Sequence, residues 1–302
     1  MEISKTKLTL VIIGSVTVGM AVVIVVVSTW LYMQFQSNMP TNISFGGGRE
    51  RLVSKAPDFT ETKQYLGSQA VSFGENIDME NTVLATGDSI LSGKASLKGR
   101  PLAGFKVRLR LNGKVASQWG TSDTDGVYRI SVPAGRYTLT GFEVDREAAN
   151  KVLAGMIMHP HQLGHFHETS NVVNATPGRA ASSFDFEFTD PVVVLGPFGE
   201  LPADGKVLIT WRPYPNATSY RVQLTERMKM FQTGIVPQVF PWSSRPVVAT
   251  NAFDISTTGA KLKADAQYQI SVEALDVNGN VISQSADQFG MQPTFSVATA
   301  GK

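Results

Sequence analysis

The chain is predicted to be mainly β, two tandem β-sandwich domains behind one N-terminal transmembrane α-helix, and three observations predict it. The first is Leu8 to Met33, twenty-six residues without one charged side chain. The second is the texture from Ile90 onward, short alternating strands broken by Gly and Pro. The third is a length of 302 residues with no cysteine, enough for two ordinary cores held without disulfides.

A helix of that apolar run would reach roughly 39 Å at about 1.5 Å per residue, more than the hydrocarbon core of about 30 Å, so a modest tilt lets it span. Trp30 and Tyr32 fall at its far end, where aromatic rings with a polar edge favour the interface. A cleaved signal peptide has a shorter apolar core, and no small-x-small site follows the run, so the segment reads as an uncleaved, single-pass signal anchor. Lys5 and Lys7 precede it, and no Lys or Arg lies between Met33 and Arg49. That asymmetry keeps the N-terminus cytoplasmic and puts the rest in the periplasm or outside the cell, with the cell (inner) membrane as the address.

The expected organisation is a stub and anchor over 1–35, an extended tether over 36–84, one sandwich over 85–190, a second over 191–298 and a tail over 299–302. In the tether, Asp58 to Leu66 is suited to a short helix capped by Asp58, with Phe59, Tyr65 and Leu66 placed to dock on a neighbour. Phe105 to Leu111 alternates strictly. It sets Phe105, Val107, Leu109 and Leu111 toward a core, and Lys106, Arg108 and Arg110 toward water. Thr121 to Val144 reads as an Asp-Gly turn, a strand, a Pro-Ala-Gly turn and a second strand, that is, a hairpin.

Gly93, GRPLAGFKVRL (Gly99 to Leu109) and TSDTDGVYRISVPAGRYTL (Thr121 to Leu139) together resemble the carboxypeptidase regulatory-like domain. The resemblance implies a transthyretin-like sandwich of about seven strands, closed by Ser182 to Phe188, in a module that is a non-catalytic appendage. A short helix near Arg146 and a long excursion depart from that pattern. From Pro191 to Ser296 the chain resembles a fibronectin type III domain. The resemblance rests on Trp211 in the second strand, on Tyr220, Val222 and Leu224 in the third, and on Leu262 six residues before Tyr268. It implies an Ig-like sandwich with a buried Trp and a tyrosine corner. Arg227 to Pro246 is an insertion between strands that leaves the strand order open.

The four histidines of the chain, His159, His161, His165 and His167, lie within nine residues and follow Met156 and Met158. Imidazole and thioether ligands suit copper or zinc, which makes this a candidate metal site; the alternative is a surface loop with neutral histidines. HFHE matches the His-x-x-Glu zinc pair of carboxypeptidases, but no histidine follows His167. Nucleophilic catalysis lacks its residues, since there is no Cys, no Gly-x-Ser-x-Gly and no histidine elsewhere. Asp123 and Asp125 fit a turn better than a calcium loop.

A basic run from Lys94 through Lys106, Arg108 and Arg110 to Lys114 contains no acid, so it is either a solvated strand face or a surface for anionic lipid, glycan or an acidic partner. A net charge of +2 gives no support to nucleic-acid binding. Two features point to protein partners. Ser15 and Gly19 are small residues one turn apart in the anchor, where another helix can approach closely. Met228, Met230, Phe231, Ile235, Phe240 and Trp242 make the insertion far more apolar than a solvated loop requires, so it either covers a core or binds a partner. The expectation is a non-catalytic accessory or structural subunit, without a required cofactor, of a larger membrane protein complex such as a respiratory or photosynthetic one. A copper- or zinc-binding protein and an envelope glycan- or lipid-binding module are the alternatives.

Overall fold

The structure is a computed structural model, and it describes residues 62–72, 82–113, 115–160, 172–202, 207–227, 239–264, 266–286 and 294–298. The anchor segment lies outside these residues. No helix among the described residues is long and apolar enough to cross a membrane. What is described is mainly β, four sheets closing in pairs on two separate cores.

Among the described residues the first pair is built from twelve strands and one helix. In chain order these are β1 (Ala70–Ser72), β2 (Ser89–Leu97), β3 (Arg100–Pro101), β4 (Lys106–Leu111), β5 (Val115–Ala116), β6 (Gly120–Thr121), β7 (Val127–Val132) and β8 (Gly135–Val144). Helix α1 (Arg146–Val152), β9 (Ile157–Met158), β10 (Val172–Ala175), β11 (Ala180–Ser182) and β12 (Phe186–Thr189) follow. One sheet runs β1-β8-β4-β5, with β10 also on β8 and β6 on β4; the other runs β11-β2-β12-β9, with β3 and β7 on β2. Alternation explains the layering. Val107, Leu109 and Leu111 of β4 are buried while Lys106, Arg108 and Arg110 alternate with them on the outer face.

Motif glycines hold the second sheet together. A Cβ on Gly93 would lie 2.0 Å from the Phe184 carbonyl oxygen and 2.6 Å from the Tyr128 hydroxyl. Gly126 has φ +76° and a Cβ there would meet the Ala95 carbonyl oxygen at 2.5 Å. Both positions let backbone and side chains approach more closely than any other residue permits. Asp123 starts the intervening turn, its Oδ1 accepting the N–H groups of Asp125 and Val127 at 3.0 and 2.9 Å.

Three expectations are corrected here. The strands on either side of the Pro-Ala-Gly turn do not form a hairpin. β7 pairs with β2 in one sheet and β8 with β1, β4 and β10 in the other, so the turn is an arch across the core. Both strands alternate, and alternation does not say which sheet a strand joins. The closing segment is not one strand but two, β11 and β12, both parallel to β2. The first sandwich also begins earlier in the chain than expected. Residues 62–72 belong to the first sandwich, with Tyr65 and Leu66 each 1% exposed. They dock as the sequence suggested, but residues 62–66 are not helical. Tyr65 bridges Ala154 antiparallel, its N–H donates to Asn150 Oδ1 at 2.8 Å, and the Leu66 N–H donates to the Met156 carbonyl at 2.9 Å. Backbone groups buried against an existing structure must be paired, and these partners favour extended chain.

The second pair contains β13 (Val194–Gly196), β14 (Gly199–Leu201), β15 (Leu208–Trp211), β16 (Ser219–Arg227), β17 (Val247–Val248), β18 (Ala252–Asp254), β19 (Gln267–Leu275), β20 (Val281–Gln284) and β21 (Thr294–Val297). One sheet runs β13-β15-β18 and the other β14-β21-β19-β16-β17, with β20 on β19. The insertion leaves this order intact. β17 follows it by pairing with β16, and β18 then crosses to β15. Trp211 is fully buried, with its ring 5.2 Å from Tyr220. The Tyr268 hydroxyl accepts the Lys263 N–H at 2.6 Å, which closes the expected corner before β19.

Tyr65 supplies the test of where the first sandwich begins. Tyr65→Ala should cost about 3 to 5 kcal/mol of first-sandwich stability in denaturant unfolding, as for other large aromatic truncations in a core. A residue in a solvated tether would cost nothing.

Candidate functional site

The basic row of β4 is the best-defined surface among the candidates. Register sets Arg108 opposite Glu143 of β8, and a single carboxylate serves two guanidiniums: Glu143 Oε2 takes Arg108 and Oε1 takes Arg110. These side chains are 17–25% exposed, so the triad is shielded from solvent more than a surface ion pair is. Lys106 Nζ lies 2.9 Å from Asp145 Oδ2. Asp145 also caps α1, accepting the Ala148 N–H at 2.9 Å. That hydrogen bond, with Lys106 second, holds its carboxyl below the usual range. The stability it contributes is complete above the ordinary carboxylate value and is lost as the pH falls through the depressed one. The acids absent from the basic run in sequence arrive from the end of β8 and the residue after it, more than thirty residues later in the chain. Ion pairing thus answers most of the charge of Lys106, Arg108 and Arg110.

Trp119 was not among the residues singled out from the sequence, and it completes this face. It is 38% exposed, with Lys106 Nζ 5.3 Å and Arg108 Cζ 4.9 Å from the centre of its ring. Its position just before β6, which pairs with β4, brings it over the row. Two-residue strands such as β5 and β6 carry too little periodicity to announce that pairing.

The histidine segment is split. His161, His165 and His167 lie outside the described residues. Met158 is 2% exposed and belongs to the first core, and Met156 packs against that core, so both thioethers serve packing. His159 follows β9 directly and its backbone N–H donates to the Glu187 carbonyl at 2.8 Å. Among the described residues no group of three or more His, Cys, Asp or Glu is placed to hold a metal ion.

The insertion is likewise divided. Met228, Met230, Phe231 and Ile235 lie outside the described residues, as do Ser15 and Gly19 of the anchor. Phe240, open to either a core or a partner interface from the sequence, fills the second core. It is 5% exposed, with its ring 6.0 Å from Phe253. The Val239 N–H donates to the Leu224 carbonyl at 2.9 Å, which leads Phe240 inward. Trp242 opens a short 3₁₀ turn, Trp242–Ser244. Past it, Arg245 reaches Glu273 at 2.8 Å, the same carboxylate that takes Arg221 at 2.7 Å. A carboxylate shared by two arginines therefore recurs on the outer face of each sandwich.

The buried hydroxyls have structural tasks. The Tyr128 hydroxyl bonds Ser183 Oγ at 2.9 Å and donates to the Phe184 carbonyl, and burial pushes its pKa up. Burial also raises Tyr65. Asp123 is lowered first by the Arg129 side chain and then by the N–H of Val127, as befits a turn residue.

No family model matches the chain, and no curated protein matches it. Among solved structures it is similar to a DUF3823 family protein from Parabacteroides merdae, at 14% identity, a TM-score of 0.19, and coverage of 70% of this chain and 100% of that one. A DUF3823 family protein from Bacteroides ovatus gives 14% identity, a TM-score of 0.20, and 70% and 99% coverage. The FN1–FN3 domains of chicken CNTN1 give 11% identity, a TM-score of 0.20, and 73% and 67% coverage. Scores this low leave the description of the fold to the strand order itself.

The shared carboxylate is the feature to remove. Glu143→Gln should lower stability by about 1 to 3 kcal/mol, because two partly buried guanidiniums lose their counter-charge. Adding Arg108→Met and Arg110→Met to it should restore most of the loss in the same denaturant titration.

Proposed function

We propose that the chain is a non-catalytic, single-pass membrane-anchored protein that serves as an accessory subunit of a larger membrane protein complex, with its sandwiches outside the cytoplasm. The observation that carries this reading is the uncharged run from Leu8 to Met33, which is long enough to span and bears Ser15 and Gly19 at the spacing that lets a second helix approach. The first sandwich, by this reading, is a carboxypeptidase regulatory-like module. The close contacts that Gly93 and Gly126 permit give the motif residues a structural purpose and support that assignment. Modules of this kind act as rigid appendages. The polar groups described in the two sandwiches fit such a role, since the shared-carboxylate triads, the capping Asp145 and the tyrosine hydroxyls are all committed to holding strands, turns and the helix.

The test is extraction of native membranes in a mild detergent, size separation, and identification of what co-migrates with the chain. Co-migration with a defined large assembly, weakened by Ser15→Leu with Gly19→Leu, is the expected result. Migration as a lone chain in several gentle detergents would sink the reading.

A further inference from the structure

The two sandwiches follow one another almost without a linker. β12 ends at Thr189, and Val192 already bridges Ser285 of the second sandwich, so Asp190 and Pro191 are all that separates them. So short a connection limits reach but leaves the angle free unless something packs across it. Polar contacts do cross: the Thr189 and Tyr214 hydroxyls lie 2.7 Å apart, and Ser283 Oγ donates to the Asp190 carbonyl at 2.6 Å. Lys98 of the first sandwich reaches the Asp190 carboxylate at 2.6 Å. Thr189 and Ser283 are buried, but two hydroxyl bonds of small net worth and one half-exposed ion pair hold an angle weakly.

A dry contact lies beside them. Leu66, Ile157 and Ala286, exposed by 1%, 3% and 3%, form an apolar cluster of their own, separate from both cores. Ile157 comes from β9, Ala286 from the chain just after β20, and Leu66 from the segment ahead of β1. That segment is stitched to the first sandwich on both sides of Leu66. The Gly155 N–H donates to the Gln64 carbonyl at 2.8 Å, the Leu66 N–H to the Met156 carbonyl, and the Val144 N–H to the Gln69 carbonyl at 2.7 Å. Beside Leu66, the Tyr65 ring packs edge-on against Phe188 at 5.9 Å, one residue before the end of β12.

We propose that residues 64–66 act as a strap that fixes the angle between the sandwiches, with Leu66 as the wedge that joins Ile157 to Ala286. The strap is bound into the first sandwich, with Tyr65 in its core, so it couples that core to the second sandwich. Three side chains make a small cluster, and removal of one exposes the other two to water. The angle is then left to the hydroxyl pair, Ser283 and Lys98.

The chain has no cysteine, so two introduced cysteines take spin labels cleanly. Arg136→Cys on the first sandwich and Val277→Cys on the second are exposed positions for them. The full chain is studied in detergent by pulsed dipolar spectroscopy. A single narrow distance distribution is expected for the labelled parent, and loss of that peak to a broad or displaced one for Leu66→Ala. Ala286→Glu, which attacks the wedge from the other sandwich, should do the same. Hydrogen exchange of β4 and β19 amides reports whether each core survives the change. If Leu66→Ala loses protection in β4, Ala286→Glu alone decides. A broad distribution in the parent, or an unchanged narrow one in the variants that keep both cores, would overturn the proposal.

Discussion

Phe105, Phe142, Phe186 and Phe188 meet at the centre of the first core, with ring centroids 5.2 Å apart for Phe105 and Phe186, 5.0 Å for Phe105 and Phe188, and 4.9 Å for Phe142 and Phe186. A cysteine-free domain of about a hundred residues has little besides such packing to offset chain entropy. The rings come from the residue just ahead of β4, from β8 and from β12, so both sheets must be in place before they touch. The tight approach at Gly93, the parallel placement of β12 and the docking of Tyr65 on Phe188 all follow from filling the space between those sheets. The second core solves the same problem with Trp211 on Tyr220 and with Tyr268 stacked on Phe295 at 5.4 Å.

The outer faces show a different economy. β4 and β16 each present basic residues, and in each case one glutamate on the neighbouring strand takes two arginines. A lone guanidinium half-withdrawn from water is costly, and a shared carboxylate relieves two at once. Such a triad keeps one net positive charge while giving each strand pair a directional tie. Trp119, resting on the cations, makes the first of these faces partly dry.

Local pattern made the inward faces of β4, β7, β8, β16 and β19 readable, because period-two alternation reports burial directly. Trp211 and the Tyr268 corner were readable from residue type and spacing. What alternation cannot report is partnership. The arch between β7 and β8, the parallel closure on β2 and the capture of Arg108 and Arg110 by Glu143 depend on residues far apart in the chain. Met158 and Phe240 illustrate the limit for site residues. Each sits in a stretch whose composition suits contact with a metal or a partner, yet the strands beside it draw the side chain inward. Leu66 was visible as a docking residue, but its neighbour Ala286 lies two hundred and twenty positions away.

The first sandwich is closed by its two ends. Ser183 bonds Ser92 across ninety-one positions, and the ring of Tyr65 rests on Phe188. Contacts of such separation are slow to form, because the loop must close before any packing rewards it. A nascent chain can pair β2 with β7 and β4 with β8 once Val144 is made. Yet β2 lacks β11 and β12 until the residues near 188 follow, and only then does the core lock. By that point Tyr65 must still be within reach. The order of synthesis thus places a demand on the N-terminal segment: to stay near the growing sheets, unspent, until the last strand arrives.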